Sequence, residues 1–144
     1  FAGLTPIAIV EAKRKRINIA DRIPQAERYA REFELSTEHL QPWLQTGQIQ
    51  PWSDGDGGHF NVPFTFACNG RPFIKQLAEL SGTWFRDLRS PANLRRPLSD
   101  FYTPSDLLDL LKRDNTHAEA KLNVEDFTYL KLRDYQERAI KAVE

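Results

Sequence analysis

Glu11 and Lys13 stand two residues apart in the run Pro6-Ile-Ala-Ile-Val-Glu-Ala-Lys13. On a strand, that spacing puts both side chains on one face. A carboxylate can ligate a divalent metal, and an ammonium group beside it can orient a water or stabilise charge developing on a phosphate. The pair suits metal-assisted hydrolysis. Mg²⁺ usually takes one or two protein carboxylates and keeps several waters, so a second acid is expected. The same tripeptide also fits an ordinary ion pair at an exposed strand end. Gln25 and Tyr29 lie four apart on a predicted helix, hence on one face. Their amide and phenol could contact a DNA phosphate or brace a metal ligand; a solvent-facing Gln beside a core-edge Tyr is the plainer alternative. Arg14, Lys15 and Arg16 extend a basic run that begins at Lys13. Such a run can grip phosphates or be merely solvated. Arg133, Tyr135 and Gln136 open the last helical pattern. A Gln amide can donate to and accept from an adenine edge, and a Tyr ring can stack on it. An ordinary amphipathic helix can begin the same way.

Other chemistries find little support. Ser53-Asp-Gly-Asp-Gly-Gly58 lacks the remaining acidic positions of a calcium loop and reads as a turn. His39, His59 and His117 have no paired zinc spacing. Cys68 lies in a strand pattern and reads as a buried thiol. No Walker A, GxSxG or GxGxxG sequence occurs. The single cysteine rules out an internal disulfide framework and fits a reducing compartment. With 20 basic and 20 acidic side chains the net charge is zero, so nucleic-acid binding must come from local patches. No apolar run approaches the roughly 20 residues of a membrane helix, and no secretory signal opens the chain.

Several elements must position these groups. The β-branched run from Pro6 to Lys13 predicts a strand. Ile7, Ile9, Glu11 and Lys13 share one face, and Ala8, Val10 and Ala12 the other. Apolar on both faces, it is expected in the centre of a sheet with helices around it. Ala26, Tyr29, Ala30 and Phe33 follow helical spacing within a helix from about Ile19 to Phe33, with Pro24 in its first turn or at a kink. A short helix from Thr37 to Thr46 is expected, with Leu40, Trp43 and Leu44 inward. His59 to Cys68 alternates, placing Phe60, Val62, Phe64 and Phe66 on one face. Asn69-Gly70 is a hairpin signal with a returning strand near Arg71. Gly82 to Leu88 reads as another strand and Ser90 to Asp100 as a loop. Thr103 and Pro104 read as N-cap and first turn of a helix that buries Leu107, Leu108, Leu110 and Leu111. Asp114 to Val124 is polar and linker-like. The final helix, from Arg133, carries Tyr135, Ala139, Ile140 and Val143 on one side. Strand-then-helix order indicates an α/β unit. The chain of 144 residues lacks methionine, and its ends fall inside predicted elements, so it is expected to be a piece of a longer polypeptide.

Taken together, these segments resemble the R (restriction, or motor) subunit of type I restriction enzymes. Pro6-Ile-Ala-Ile-Val-Glu-Ala-Lys-Arg14 is similar to that subunit's nuclease core, and Gln25-x-x-x-Tyr29 to the Gln-x3-Tyr element that follows it. Val62-Pro-Phe-Thr-Phe-Ala-Cys-Asn-Gly-Arg71 and Ser81-Gly-Thr-Trp-Phe-Arg-Asp-Leu-Arg89 resemble segments downstream. Leu132-Arg-Asp-Tyr-Gln-Glu-Arg-Ala-Ile140 resembles the Q-motif that opens a superfamily 2 helicase motor.

The resemblance implies a partial PD-(D/E)xK nuclease core of the α/β (α+β) class, a mixed sheet flanked by helices. Residues 1–113 would be the C-terminal part of the nuclease domain, 114–131 a linker, and 132–144 the start of the helicase/ATPase motor domain. Glu11 would be a catalytic Mg²⁺ ligand and Lys13 would position the attacking water. Gln25, Tyr29 and Arg14 would support the site or DNA. Gln136 would read ATP adenine, with Arg133 and Tyr135 beside it. The parent would be a bacterial, cytoplasmic, ATP-dependent translocase and endonuclease. It would cut double-stranded DNA away from its recognition sequence, together with methylase and specificity subunits. The family's metal-binding Asp would fall upstream of Phe1, and no acidic residue precedes Glu11. The isolated piece is therefore expected to be inactive. The alternative is a non-catalytic DNA-binding or subunit-docking module with a nuclease-like fold.

Overall fold

The β-branched run does form a strand, β1 (Ala8–Ala12), but not a central one. A computed structural model of the chain describes residues 1–113 together with 120, 124, 131–136 and 138. Among these residues the sheet order is β1-β4-β5-β6, with β1 at an edge. β4 (Phe64–Cys68) pairs with β1 in parallel, from Ala8 opposite Phe64 to Ala12 opposite Cys68. β5 (Thr83–Asp87) pairs antiparallel with β4, and β6 (Arg96–Pro97) antiparallel with β5. The central strand is thus β4, whose Phe64, Thr65, Phe66 and Ala67 are all buried. Both of its faces are covered. Val10, by contrast, is 53% exposed on β1.

The parallel pairing of β1 and β4 requires a crossover. It contains a 3-10 turn (Ala20–Arg22) and the helix α1 (Ile23–Glu32), with Pro24 in the first turn as its fixed φ and missing N–H favour. α1 covers one face of the sheet: Ile19 and Ile23 meet Ala67, while Ala30 meets Phe60, Val62 and Leu88. The helix α2 (Pro104–Lys112) covers the other, placing Leu107 and Leu111 against Phe64, Phe66 and Phe85. Leu108 and Leu110 pack only at the edge of that cluster. Thr103 caps α2 as its type predicts: its Oγ1 accepts the Asp106 N–H at 3.1 Å, and its own N–H donates to Asp106 Oδ2 at 3.0 Å. The result is an α+β fold, a mixed sheet flanked by helices.

Other expectations are corrected. Ile7 precedes the strand and packs with Phe64 and Phe66, on the opposite side from Ile9. The helix expected over Thr37–Thr46 is only a 3-10 turn, Pro42–Thr46. Trp43 is buried there, but Leu40 and Leu44 face solvent. The alternating stretch after His59 is two strands, β3 (His59–Phe60) and β4, separated around Pro63, which has no N–H to give a ladder. All four apolar positions of that stretch are buried, but not on one face: Phe60 and Val62 pack with Ala30 of α1, and Phe64 and Phe66 with Leu107 and Leu111 of α2. β3 pairs with β2 (Trp52–Ser53), a strand with no sequence signal of its own. Asn69-Gly70 makes no two-residue hairpin. Such a turn of type I′ needs positive φ at both residues, and only Gly70 has it, at +71°. The returning strand is β5, beginning at Thr83. The loop predicted over Ser90–Asp100 contains β6.

The chain divides into two units, Phe1–Lys112 and Arg113–Glu144. In the second, residues 134–136 and 138 are helical. The linker predicted from Asp114 to Val124 falls almost wholly outside the described residues, as do Ala139, Ile140 and Val143.

Candidate functional site

β1 delivers Glu11 and Lys13 to the α1 face of the sheet, at the C-terminal end of the parallel pair. The ladder continues one step past the strand, with Lys13 N–H donating to the Cys68 carbonyl at 2.8 Å. The two side chains form an ion pair with each other. Both keep some solvent contact, Glu11 less than Lys13. Cys68, opposite Ala12, carries a half-buried thiol. Burial, together with the nearby Glu11 charge, pushes its pKa up. It therefore stays a protonated thiol at neutral pH, though less buried than its strand pattern predicts.

Gln25 and Tyr29 stand one turn apart on α1, and the Gln25 amide donates to the Tyr29 hydroxyl at 2.7 Å. The Arg28 guanidinium lies 5.4 Å from the Tyr29 ring centre. At 3.6 residues per turn, these two residues occupy the flank of α1 away from Glu27. Glu27 turns toward β5, where it meets Arg86. The Gln25–Tyr29 flank is therefore on the β1 side of the helix, the side of Glu11 and Lys13. The two pairs are each closed on themselves: Glu11 with Lys13, Gln25 with Tyr29.

Arg14 begins a turn in which the Ile17 N–H returns to the Arg14 carbonyl at 2.9 Å. The turn exposes Arg14, Lys15 and Arg16 directly beyond Lys13. It is tied down from the next strand. Asn69, just after β4 and 6% exposed, donates from Nδ2 to the Ile17 carbonyl at 2.8 Å and to the Lys15 carbonyl at 3.4 Å.

In the second unit, Gln136 is committed to its own helix start. Its Oε1 accepts the Arg133 N–H at 3.0 Å, and its N–H returns to the Arg133 carbonyl at 2.7 Å. Tyr135 is exposed. Arg133, Tyr135 and Gln136 thus gather at one helix start.

As for metal, Glu11 is a single carboxylate, and no group of three or more His, Cys, Asp and Glu side chains converges among the described residues. Glu11 fits one share of a Mg²⁺ site, a metal that takes few protein ligands. No helix among the described residues is long and apolar enough to cross a membrane.

The comparisons with known proteins agree with one another. Residues 1–111 match the family described as "Type I restriction enzyme EcoKI endonuclease subunit second domain". The whole chain is 34% identical to the type I restriction enzyme EcoKI endonuclease subunit of Escherichia coli (strain K12). The chain belongs to this family. It spans 13% of that relative's length. No solved structure matches it.

Two features of this restriction-subunit chain escape sequence reasoning. The first is Glu27, buried under α1 between two arginines 59 and 68 positions away in the chain. Arg95 donates from Nε and Nη2 to its two oxygens at 2.8 and 2.9 Å, and Arg86 Nη1 lies 3.1 Å from Oε1. Nothing local marks this; Glu27 reads as one more polar helix residue. The second is Asn69. Its sequence signal, the Asn-Gly pair, is real but means something else. Its Oδ1 accepts the Arg71 N–H at 3.0 Å, and its own N–H donates to the Gly82 carbonyl at 3.0 Å.

Proposed function

We propose that this restriction-subunit chain holds part of a Mg²⁺-dependent PD-(D/E)xK-type endonuclease core, followed by the threshold of an ATP-driven motor. The observation that carries the reading is the Glu11–Lys13 pair. Both side chains share one sheet face at the C-terminal end of parallel β1, with the Gln25–Tyr29 flank of α1 on the same side. Glu11 would hold the metal. Bound there, Mg²⁺ would supply a Lewis acid for phosphodiester hydrolysis. Lys13 would orient the attacking water and offset charge on the phosphate. Gln25 and Tyr29 would brace the site or contact DNA, and Arg14 would hold a backbone phosphate. In the second unit, Gln136 would read the adenine of ATP once its amide leaves the Arg133 N–H, with Arg133 and Tyr135 beside the base. The parent protein would translocate on double-stranded DNA and cut it away from the recognition sequence, in a complex with methylase and specificity subunits.

One observation favours a second reading. Among the described residues no group of three or more His, Cys, Asp and Glu side chains gathers at the candidate metal site, and Glu11 is closed on Lys13. That also suits a DNA-binding or docking module with a nuclease-like fold. The discriminating experiment is Mg²⁺-dependent cleavage of plasmid DNA by the whole subunit with its partners and ATP, beside Glu11→Ala. The expected result is loss of cleavage with ATP hydrolysis retained. Equal cleavage by both proteins removes Glu11 from the chemistry and puts the docking module first.

A further inference from the structure

The turn that follows β1 is held by a residue far away in sequence. Asn69 lies 52 positions beyond Ile17 and 54 beyond Lys15, yet its Nδ2 serves both carbonyls. The same side chain accepts the Arg71 N–H, and its main chain is anchored to Gly82. The Asn69 amide and N–H therefore join three segments: the basic turn, the start of the loop after β4, and the entry to β5. The residue is 6% exposed, so these bonds are shielded from water and costly to lose. The side chains that the turn carries are different. Arg14, Lys15 and Arg16 are all exposed, and no hydrogen bond or ion pair of their side chains is found among the described residues. A turn with a fixed backbone and uncommitted cationic side chains is preorganised to meet an anion. Fixing it beforehand removes an ordering cost from binding. Its place in the fold sets where that anion lies. The turn begins one residue after Lys13, whose N–H is already tied to Cys68.

We propose that Asn69 is a positioning residue: it clamps the Arg14–Arg16 turn beside Glu11 and Lys13, so that the turn grips the phosphate backbone of the DNA presented to that pair. The proposal rests on the reading of this end of the sheet as DNA-facing. Asn69 itself touches no substrate. It acts through the three cationic side chains, and that route distinguishes it from a residue that merely stabilises the fold.

The test is a double-mutant cycle in the whole subunit, reading affinity for a linear DNA duplex at several salt concentrations. The variants are Asn69→Ala, the triple Arg14→Ala/Lys15→Ala/Arg16→Ala, and their combination. Asn69→Ala is expected to weaken binding about tenfold, the equivalent of about 1.4 kcal/mol. The triple variant is expected to lower the slope of log affinity against log salt by about one unit for each phosphate contact removed. In the triple background, Asn69→Ala is expected to cost nothing further. Full additivity, or an unchanged salt slope in the triple variant, overturns the proposal. If Asn69→Ala does not fold, Asn69→Ser takes its place. Its hydroxyl can still accept the Arg71 N–H but is too short to span to Ile17. The Glu11→Ala cleavage assay separates the two readings. Dead Glu11→Ala with an additive cycle leaves the nuclease and removes the clamp. Active Glu11→Ala with a coupled cycle removes the nuclease and leaves a DNA-gripping turn.

Discussion

The Glu27 carboxylate lies under α1 with two guanidinium groups, and burial alone would raise its pKa. Hydrogen bonds from Arg95 and Arg86, and then their charges, outweigh that burial and hold the carboxyl below its ordinary range. A carboxyl depressed in the native state stabilises the fold above its unfolded pKa and loses that contribution as pH falls through the folded value. The loss therefore begins below about pH 4.5, the ordinary value for Glu. Urea unfolding across pH 5 to 3 should show a steeper drop for the wild type than for Glu27→Gln. Parallel curves would mean that other acids carry the pH dependence. At neutral pH, Glu27→Ala should cost about 2 kcal/mol, less than a fully buried pair because Arg95 is partly solvated. The clamp spans α1, β5 and the loop before β6, so its role is architectural.

At the scale of elements, α2 and the approach to β5 depend on different physics. α2 starts where Thr103 satisfies the Asp106 N–H, and Asp106 returns the bond to the Thr103 N–H. The Thr103 hydroxyl, donating to Asp106 Oδ2 at 2.7 Å, and then the Thr103 N–H hold the Asp106 carboxyl below its usual range. Thr103→Ala should lower stability by about 1 kcal/mol, read as a shift in denaturant midpoint with an unchanged slope. β5 begins beside a close backbone crossing. A Cβ on Gly82 would lie 2.2 Å from the Arg71 carbonyl oxygen and 2.5 Å from its nitrogen. Neither atom is on a flexible side chain, so the crossing must open. Gly82→Ala should destabilise by about 3 kcal/mol, the upper range for overpacking, with loss of the Asn69–Gly82 bond. A variant that melts with the wild type would show that this crossing has slack.

At the scale of the molecule, the unit Phe1–Lys112 carries its own core. Phe64, Phe66 and Phe85 meet Trp43, Trp52, Leu107 and Leu111 on one side of the sheet, and α1 closes the other. Every described residue of these clusters precedes Lys112, and the family match ends at residue 111. Residues 1–112 alone should therefore unfold in one cooperative transition. A non-cooperative transition, with a denaturant slope well below that expected for the area this core buries, would mean that the unit does not fold on its own.

Some of this protein was legible in the residues alone. Most of the run from Pro6 to Lys13 made a strand, Ala8–Ala12, and Thr103-Pro104 started a helix. Of the expected helix stripe, Ala26 and Ala30 are buried, while Tyr29 is exposed and Phe33 lies just past the helix end. Each of these elements depends on neighbours a few positions away, which is the range over which propensity, capping and periodicity act. The Glu11–Lys13 pairing on one face was equally local, because a period of two is fixed by the strand itself. The motifs, in their order, marked the restriction-subunit family. Long-range partners decided the rest. Among the described residues β1 is paired by β4 on one side only, a fact that its composition, apolar on both faces, does not carry. Asn69-Gly70 had hairpin chemistry, yet the Asn amide is taken by Ile17 and Lys15, and strand return waits until Thr83. Leu40 and Leu44 had helical spacing, but only Trp43 found a place in the core. Glu27 looked like any polar helix residue until Arg86 and Arg95 closed on it. A side chain's partner across the sheet is set by how the whole chain folds back, and no local window of sequence contains that information.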